Sequence, residues 1–174
     1  MLRPILQAGM LAFLLLAPLA QAANDTPVGT WRTIDDDTGK PKSIVQISEY
    51  GGKLQGKVVK VLQSDQGPNP VCKDCKGERH NQPVEGMTIL WDMQRDGDEW
   101  SGGQILDPSN GKTYKCKMSM LDDGQKLKVR GFIGFSLFGR SQVWERAPEA
   151  AASTPDSVQP AQAPASEVEQ GTMQ

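Results

Sequence analysis

The sequence predicts an all-β protein: an eight-stranded antiparallel up-and-down barrel with one long loop that carries a pair of cysteines. Three observations predict this fold. Residues 24–146 show almost no helical periodicity and instead repeat short runs of alternating or β-branched residues. Most runs are joined by short links rich in Gly, Asp and Asn, which is typical of antiparallel neighbours. Eight such strands close most economically into a barrel, because closure removes the exposed sheet edges.

The predicted strands follow one another along this region. They are residues 28–34, 43–49, 53–62, 87–93, 99–106, 112–120, 126–133 and 141–146. Glycines in the short links supply the positive φ that tight hairpin turns need. Only the link at residues 63–86 is long, and long loops in compact domains are usually functional or ordered by their own contacts.

The alternation in the runs 112–120 and 126–133 predicts which side chains face the barrel interior. The apolar face consists of Tyr114, Cys116, Met118, Met120, Leu127, Val129 and Ile133. The opposite face is basic and contains Lys115, Lys117, Lys126, Lys128 and Arg130. A solvated barrel exterior is the simpler interpretation of this basic face. Docking to an acidic partner or to anionic lipid headgroups is the alternative.

The first 22 residues have the three parts of a cleavable signal peptide. Arg3 supplies the positive charge, residues 5–19 are apolar, and Ala20 and Ala22 are the small residues that a signal peptidase requires. The apolar stretch is too short for a permanent membrane span, so we expect no stable membrane insertion after cleavage. Since no cysteine precedes Cys72, no lipid anchor is expected either. The mature protein is predicted to be periplasmic or secreted.

The remaining chain divides into a barrel domain at residues 24–146 and a tail at residues 147–174. The tail is rich in Ala, Pro, Ser, Gln and Glu and has no aromatic or basic residue, a composition typical of disorder. The barrel domain holds 17 acidic and 18 basic residues. This near-neutral balance gives no indication of nucleic-acid binding.

Cys72 and Cys75 stand three residues apart in the long loop, and Cys116 lies in a strand. In an oxidising compartment the spacing favours a Cys72–Cys75 disulfide that stiffens the loop. A redox-active pair is a second interpretation, although such pairs usually sit at a helix N-terminus. A zinc site formed by the three cysteines and His80 is a third. The favoured interpretation requires neither a metal nor a cofactor.

Catalytic patterns are weak in this sequence. Its single histidine, His80, leaves one candidate for the commonest general base, and no phosphate-binding glycine loop follows a strand and opens a helix. The sequence therefore does not predict an enzyme.

Phe135, Leu137 and Phe138 lie between glycines in the link before the last strand. We expect them to plug a barrel end or form a lid, with a contact patch as the alternative.

Several longer motifs run through the predicted strands and loops. They are Gly29-x-Trp31-x-Thr33-Ile34-Asp35-Asp36, Cys72-x-x-Cys75-x-Gly77, Trp100-x-Gly102-Gly103-x-Ile105-x-Asp107-Pro108 and Gly139-Arg140-x-Gln142-x-Trp144-x-Arg146. Together they resemble an exported bacterial family, domain of unknown function 2147. The Gly-x-Trp opening and the late arginine are also similar to those of the lipocalins. The resemblance implies a lipocalin-like barrel whose ends are joined by Trp31 and Arg146, and it implies no established activity.

The predicted function is binding of a small hydrophobic or amphipathic ligand inside the barrel. The candidate lining residues are Ile89, Trp91, Trp100, Tyr114, Cys116, Met118, Val129 and Ile133. An eight-stranded barrel either holds one small ligand or is filled by its own side chains. Two alternatives therefore stay open, an envelope structural or interaction protein with a filled barrel and a thiol-redox protein that uses Cys72 and Cys75.

Overall fold

The strands of the computed structural model lie close to those that the sequence predicts. The structure describes residues 25–151, so the predicted signal peptide and most of the predicted tail lie outside the described residues. The strands are β1 (Gly29–Ile34), β2 (Pro41–Tyr50), β3 (Lys53–Val61), β4 (Thr88–Asp96), β5 (Glu99–Ser101), β6 (Gln104–Asp107), β7 (Lys112–Leu121), β8 (Lys126–Phe132) and β9 (Gly139–Arg146). Three short 3₁₀ turns occupy Gly77–Arg79, Asp122–Gly124 and Glu149–Ala151. No helix in the described residues is long and apolar enough to cross a membrane.

The strands pair antiparallel with their neighbours, and β1 also pairs with β9, which closes the sheet into a barrel. Strands β5 and β6 are two halves of one barrel strand, since both lie between β4 and β7. The break falls at Gly102 and Gly103, where a side chain on Gly103 would collide with the backbone of Trp91 and Met93. The predicted eight-stranded up-and-down barrel is therefore confirmed.

Large apolar side chains occupy the centre of the barrel. Trp31, Val45, Ile47, Leu90, Met93 and Leu127 are fully buried, and Cys116, Met118 and Trp144 have 1% of their surface exposed. The centre of the barrel is therefore filled by its own side chains, as in other close-packed protein interiors.

A bulge in β4 sets which of its side chains point inward. Asp92 has a φ of 58°, which interrupts the period-two alternation of the strand. Leu90 pairs with Gly56 and Met93 pairs with Leu54, so residues three apart both face the core. A side chain on Gly56 would meet Leu90 directly, which explains why glycine stands opposite it.

The long loop between β3 and β4 folds back onto the outer face of the barrel. Leu90 points inward, so alternation places its neighbours Ile89 and Trp91 on the outer face. Ile89 is nevertheless buried, and it belongs to the same apolar cluster as Cys72 and Cys75 of the loop. The loop thus covers a second apolar layer outside the barrel.

The described chain continues past the last strand. Ala147 is buried, and its N–H donates to the carbonyl oxygen of Thr30 at 2.9 Å. The 3₁₀ turn at Glu149–Ala151 follows, so the first residues of the predicted tail are ordered against the barrel.

Candidate functional site: a basic pocket beside the disulfide loop

Four of the predicted lining residues face the barrel interior and are closely packed there. Trp100 pairs with Met118, which in turn pairs with Val129, and Cys116 lies on the same face of β7. All four side chains are at least 95% buried. Tyr114, two residues before Cys116 on the same face, is half-buried near the barrel end. The structure therefore brings these five residues together, but around a filled centre.

The other three predicted lining residues lie elsewhere. Ile89 and Trp91 point outward, because the bulge at Asp92 shifts the alternation that the sequence suggested for β4. Ile133 is 68% exposed, because β8 ends at Phe132, one residue before it. Ile133 therefore belongs to the following loop and not to the interior.

A pocket of about 400 Å³ opens on the outer side of the barrel, between the disulfide loop and the start of β7. Leu106 and Thr113 come from the neighbouring strands β6 and β7, where they are paired with each other. The lining residues are Cys75, Lys76, Arg79, Leu106, Gly111, Lys112, Thr113 and Ile133. The pocket thus combines an apolar floor with three basic side chains.

Close contacts between the loop and the β6–β7 turn fix the walls of this pocket. Cys72 and Cys75 form a disulfide, as predicted, and Cys72 Sγ lies 3.3 Å from the carbonyl oxygen of Pro108. The backbone of Asp74 approaches Gly111 so closely that a side chain there would overlap the Asp74 carbonyl group. Gly111 also has a φ of 66°, a left-handed conformation that favours glycine. Both features hold the loop against the barrel.

The charged side chains that line the pocket have one sign. Lys76, Arg79 and Lys112 are exposed, and none of the described residues that line the pocket is acidic. The guanidinium carbon of Arg79 lies 4.7 Å from the centroid of the Trp91 ring. This cation–π contact orients the arginine along the wall of the pocket. The site is therefore suited to an anionic group beside an apolar one.

A smaller pocket of about 180 Å³ lies at the opposite end of the barrel. Leu54, Met93 and Trp100 provide its apolar wall, and Glu49 and Arg95 contribute one charge of each sign. Arg95 lies over the Trp100 ring at 5.2 Å. Because its charges are balanced and its volume is small, this pocket is less suited to a charged ligand than the basic pocket.

A polar network occupies the barrel end near the β1–β2 turn. Gln142 accepts a hydrogen bond from Trp144 Nε1 at 3.3 Å and donates one to Asp36 at 2.8 Å. Asp36 also forms an ion pair with Arg140 at 2.8 Å. These contacts tie β9 to the β1–β2 turn.

The zinc interpretation of the cysteines requires free thiols in the loop, and the redox interpretation requires a disulfide that a reductant can reach. The sulfurs of Cys72 and Cys75 are joined to each other, and both residues are at least 96% buried. His80 Nδ1 lies 3.1 Å from the carbonyl oxygen of Cys75, so the histidine supports the loop backbone. Within residues 25–151 no group of three or more His, Cys, Asp or Glu could hold a metal ion.

Cys116 is the free cysteine of the described chain, and it is buried on β7. Burial raises the pKa of its thiol to about 12, because the surrounding apolar side chains cannot solvate a thiolate. Cys116 is therefore a core residue without nucleophilic character.

Trp31 and Arg146 meet where the first and last strands pair. The Arg146 guanidinium lies 4.3 Å from the centroid of the Trp31 ring and donates to the carbonyl oxygens of Thr26, Val28 and Gly124. Burial lowers the pKa of Arg146 from its usual value. The pair joins the two ends of the barrel domain.

The loop between β8 and β9 neither plugs the barrel nor covers a pocket with its aromatic side chains. Phe135, Leu137 and Phe138 are each more than 75% exposed. Arg130 donates to the carbonyl oxygens of Ser136 and Leu137, and these bonds hold the loop at the outer face of β8. The expectation of a plug or lid is therefore wrong, and the contact-patch alternative agrees with the exposure.

Sequence reasoning missed most residues of the basic pocket, Lys76, Arg79, Leu106, Lys112 and Thr113 among them. The loop residues lie far in sequence from β6 and β7, so no local periodicity relates them. The one usable signal was Gly111 in the Asp107–Lys112 turn, since glycine also permits close approach of another backbone.

Comparisons with known proteins agree with this architecture. The family model of an uncharacterized protein conserved in bacteria (DUF2147) matches residues 29–146. Among solved structures, the chain is similar to one described as protein HP1028 from the human pathogen Helicobacter pylori, which belongs to the lipocalin family. The two share 20% sequence identity and a TM-score of 0.60, over 70% of this chain and 83% of the other. No curated protein matches. The structural likeness shows the fold.

Proposed function

The chain belongs to the DUF2147 family of uncharacterized proteins conserved in bacteria, and we propose that it binds a small amphipathic molecule with an anionic head group at the basic pocket. The observation that carries this proposal is the arrangement of Lys76, Arg79 and Lys112 around a buried apolar floor at Leu106, with Ile133 at the rim. Cationic side chains bind carboxylate or phosphate groups, while the floor accepts an apolar chain.

The size and rigidity of the pocket support this function. Its volume of about 400 Å³ lies within the range of small-molecule sites, which are mostly preformed. The disulfide and the Gly111 contact fix the backbone of the pocket walls before a ligand binds. The protein therefore loses little backbone conformational entropy on binding. The filled barrel centre, in contrast, offers no comparable space for a ligand.

We place the mature protein outside the cytoplasm, in the periplasm or the extracellular medium. The signal-peptide pattern of residues 1–22 supports this location. The buried Cys72–Cys75 disulfide is consistent with it, because structural disulfides persist in oxidising compartments. Binding, rather than catalysis, is the activity that we propose.

The experiment compares two surfactants of equal chain length, dodecanoate and dodecyltrimethylammonium, by titration calorimetry below their micellar concentrations. We expect the anion to bind and the cation to bind at least about tenfold more weakly. The double variant Arg79→Gln, Lys112→Gln should weaken dodecanoate binding by a similar factor. Lys128→Gln is the matched control, since Lys128 is exposed on β8 away from the pocket.

Equal binding of the two surfactants would exclude charge recognition and contradict the proposal. So would dodecanoate binding that the double variant leaves unchanged. If dodecanoate does not bind at all, the alternative of an interaction protein with a filled barrel is favoured. The packed centre supports that alternative independently of the basic pocket.

A further inference from the structure

Four large apolar side chains are exposed together in the loop between β8 and β9. Ile133 is 68% exposed, and Phe135, Leu137 and Phe138 are 79%, 84% and 78% exposed. A single exposed apolar residue needs no explanation, but a contiguous group on a soluble domain marks an interaction surface. We call residues 133–138 the apolar loop.

Hydrogen bonds within the protein satisfy three consecutive carbonyl groups of the apolar loop, those of Phe135, Ser136 and Leu137. Arg130 donates from Nε to the Ser136 carbonyl oxygen at 2.8 Å and from Nη2 to that of Leu137 at 3.2 Å. The N–H of Phe138 donates to the Phe135 carbonyl oxygen at 3.1 Å. A segment that enters an apolar phase must satisfy its backbone groups internally, because no water is available there. These three carbonyl groups meet that requirement, while the side chains of Phe135, Leu137 and Phe138 are exposed.

Basic side chains flank the apolar loop. Ile133 lines the same pocket as Lys76, Arg79 and Lys112. Lys115 lies beside the base of the loop, because it pairs with Phe132 across β7 and β8. Asp36, at the same barrel end, is neutralised by its ion pair with Arg140. Apolar side chains next to cations are complementary to a bilayer surface with anionic headgroups.

We propose that the apolar loop docks the barrel onto an anionic lipid bilayer. Phe135, Leu137 and Phe138 enter the boundary between headgroups and acyl chains, while the flanking lysines and arginine contact the headgroups. The docking surface shares Ile133 and three of its basic side chains with the pocket, but the inserted side chains of Phe135, Leu137 and Phe138 do not line it, so the variants that test the two proposals differ.

Co-sedimentation with vesicles tests the proposal on the mature, signal-free chain. One set of vesicles contains equal parts of phosphatidylcholine and phosphatidylglycerol, and the other contains phosphatidylcholine alone. We expect binding to the anionic vesicles that weakens as ionic strength rises from about 0.1 M to about 1 M. The triple variant Phe135→Ser, Leu137→Ser, Phe138→Ser should bind at least about tenfold more weakly, since it removes the inserted apolar area. Tyr50→Ser is the matched control, because Tyr50 is 64% exposed at the opposite barrel end.

A second measurement locates the insertion. The variant Leu137→Cys can be labelled with an environment-sensitive fluorophore while Cys116 stays protected in the core. We expect a blue shift of the emission on adding anionic vesicles. Failure to bind either vesicle, or binding that the triple variant does not weaken, would overturn the proposal. Concentration-dependent self-association that the triple variant abolishes, without vesicle binding, would overturn it in favour of a second copy of the chain.

Discussion

The guanidinium of Arg146 stacks 4.3 Å from the centroid of the Trp31 ring, at the point where the last strand of the barrel pairs with the first. Trp31 is fully buried, and its Nε1 donates to the carbonyl oxygen of Pro27 at 2.7 Å. Arg146 reaches past the ring to the carbonyl oxygens of Thr26 and Val28. One arginine therefore joins the N-terminal segment, the first strand and the last strand.

Replacing this arginine should destabilise the barrel. Arg146→Ala removes the cation–π contact and leaves three carbonyl groups without their donor, so we expect a loss of about 2–4 kcal/mol in the free energy of unfolding. Arg32→Ala is the control, because Arg32 forms an exposed salt bridge with Glu145 and should contribute less than about 1 kcal/mol. Urea unfolding measures both variants. Equal losses would show that the contact with Trp31 is not what stabilises the closure.

The sequence predicts which side chains face the barrel interior in strands where apolar and polar residues alternate without interruption. In β7 the residues from Tyr114 to Met120 follow a period of two, and the buried Cys116 and Met118 lie on the predicted face. That period follows from strand geometry and needs no knowledge of the partner strands. In β4 the same reasoning failed at Trp91, because the left-handed backbone of Asp92 adds a residue to the strand.

The position of the basic pocket depends on contacts between segments that are distant in sequence. Arg79 meets Trp91 only because the loop folds back on the barrel. Gly111 meets the backbone of Asp74, 37 positions earlier, so the glycine indicates a close approach but not which segment approaches it. The cysteine pair predicted a stiff loop, but it did not predict the strand against which the loop packs.

Gly111 offers a direct test of that packing. Gly111→Ala places a methyl group on the Asp74 carbonyl group and strains a φ of 66°, so the loop must move away from the turn. Gly39→Ala has the same φ of 66° but open space around it, and it should cost only about 1 kcal/mol. We expect Gly111→Ala to destabilise the protein more than this control and to speed reduction of the Cys72–Cys75 disulfide by dithiothreitol. Thiol alkylation followed by mass spectrometry measures the reduction rate. Equal rates in the two variants would show that the turn does not protect the disulfide.

Cys116 makes a testable contribution to the pH dependence of stability. Burial raises the pKa of its thiol from 9.0 to about 12 in the folded protein. The unfolded chain therefore releases this proton first, and the folded state loses stability as the pH rises above 9.0. Between pH 9 and about 10.5 the expected loss is about 2 kcal/mol relative to Cys116→Ala, which has no thiol to titrate.

The measurement is the difference in free energy of unfolding between the two proteins across this range. Below about pH 8 that difference should be constant, because the thiol is then largely protonated in both states. A difference that stays constant up to pH 10.5 would show that water reaches Cys116 and that the barrel centre is open rather than filled.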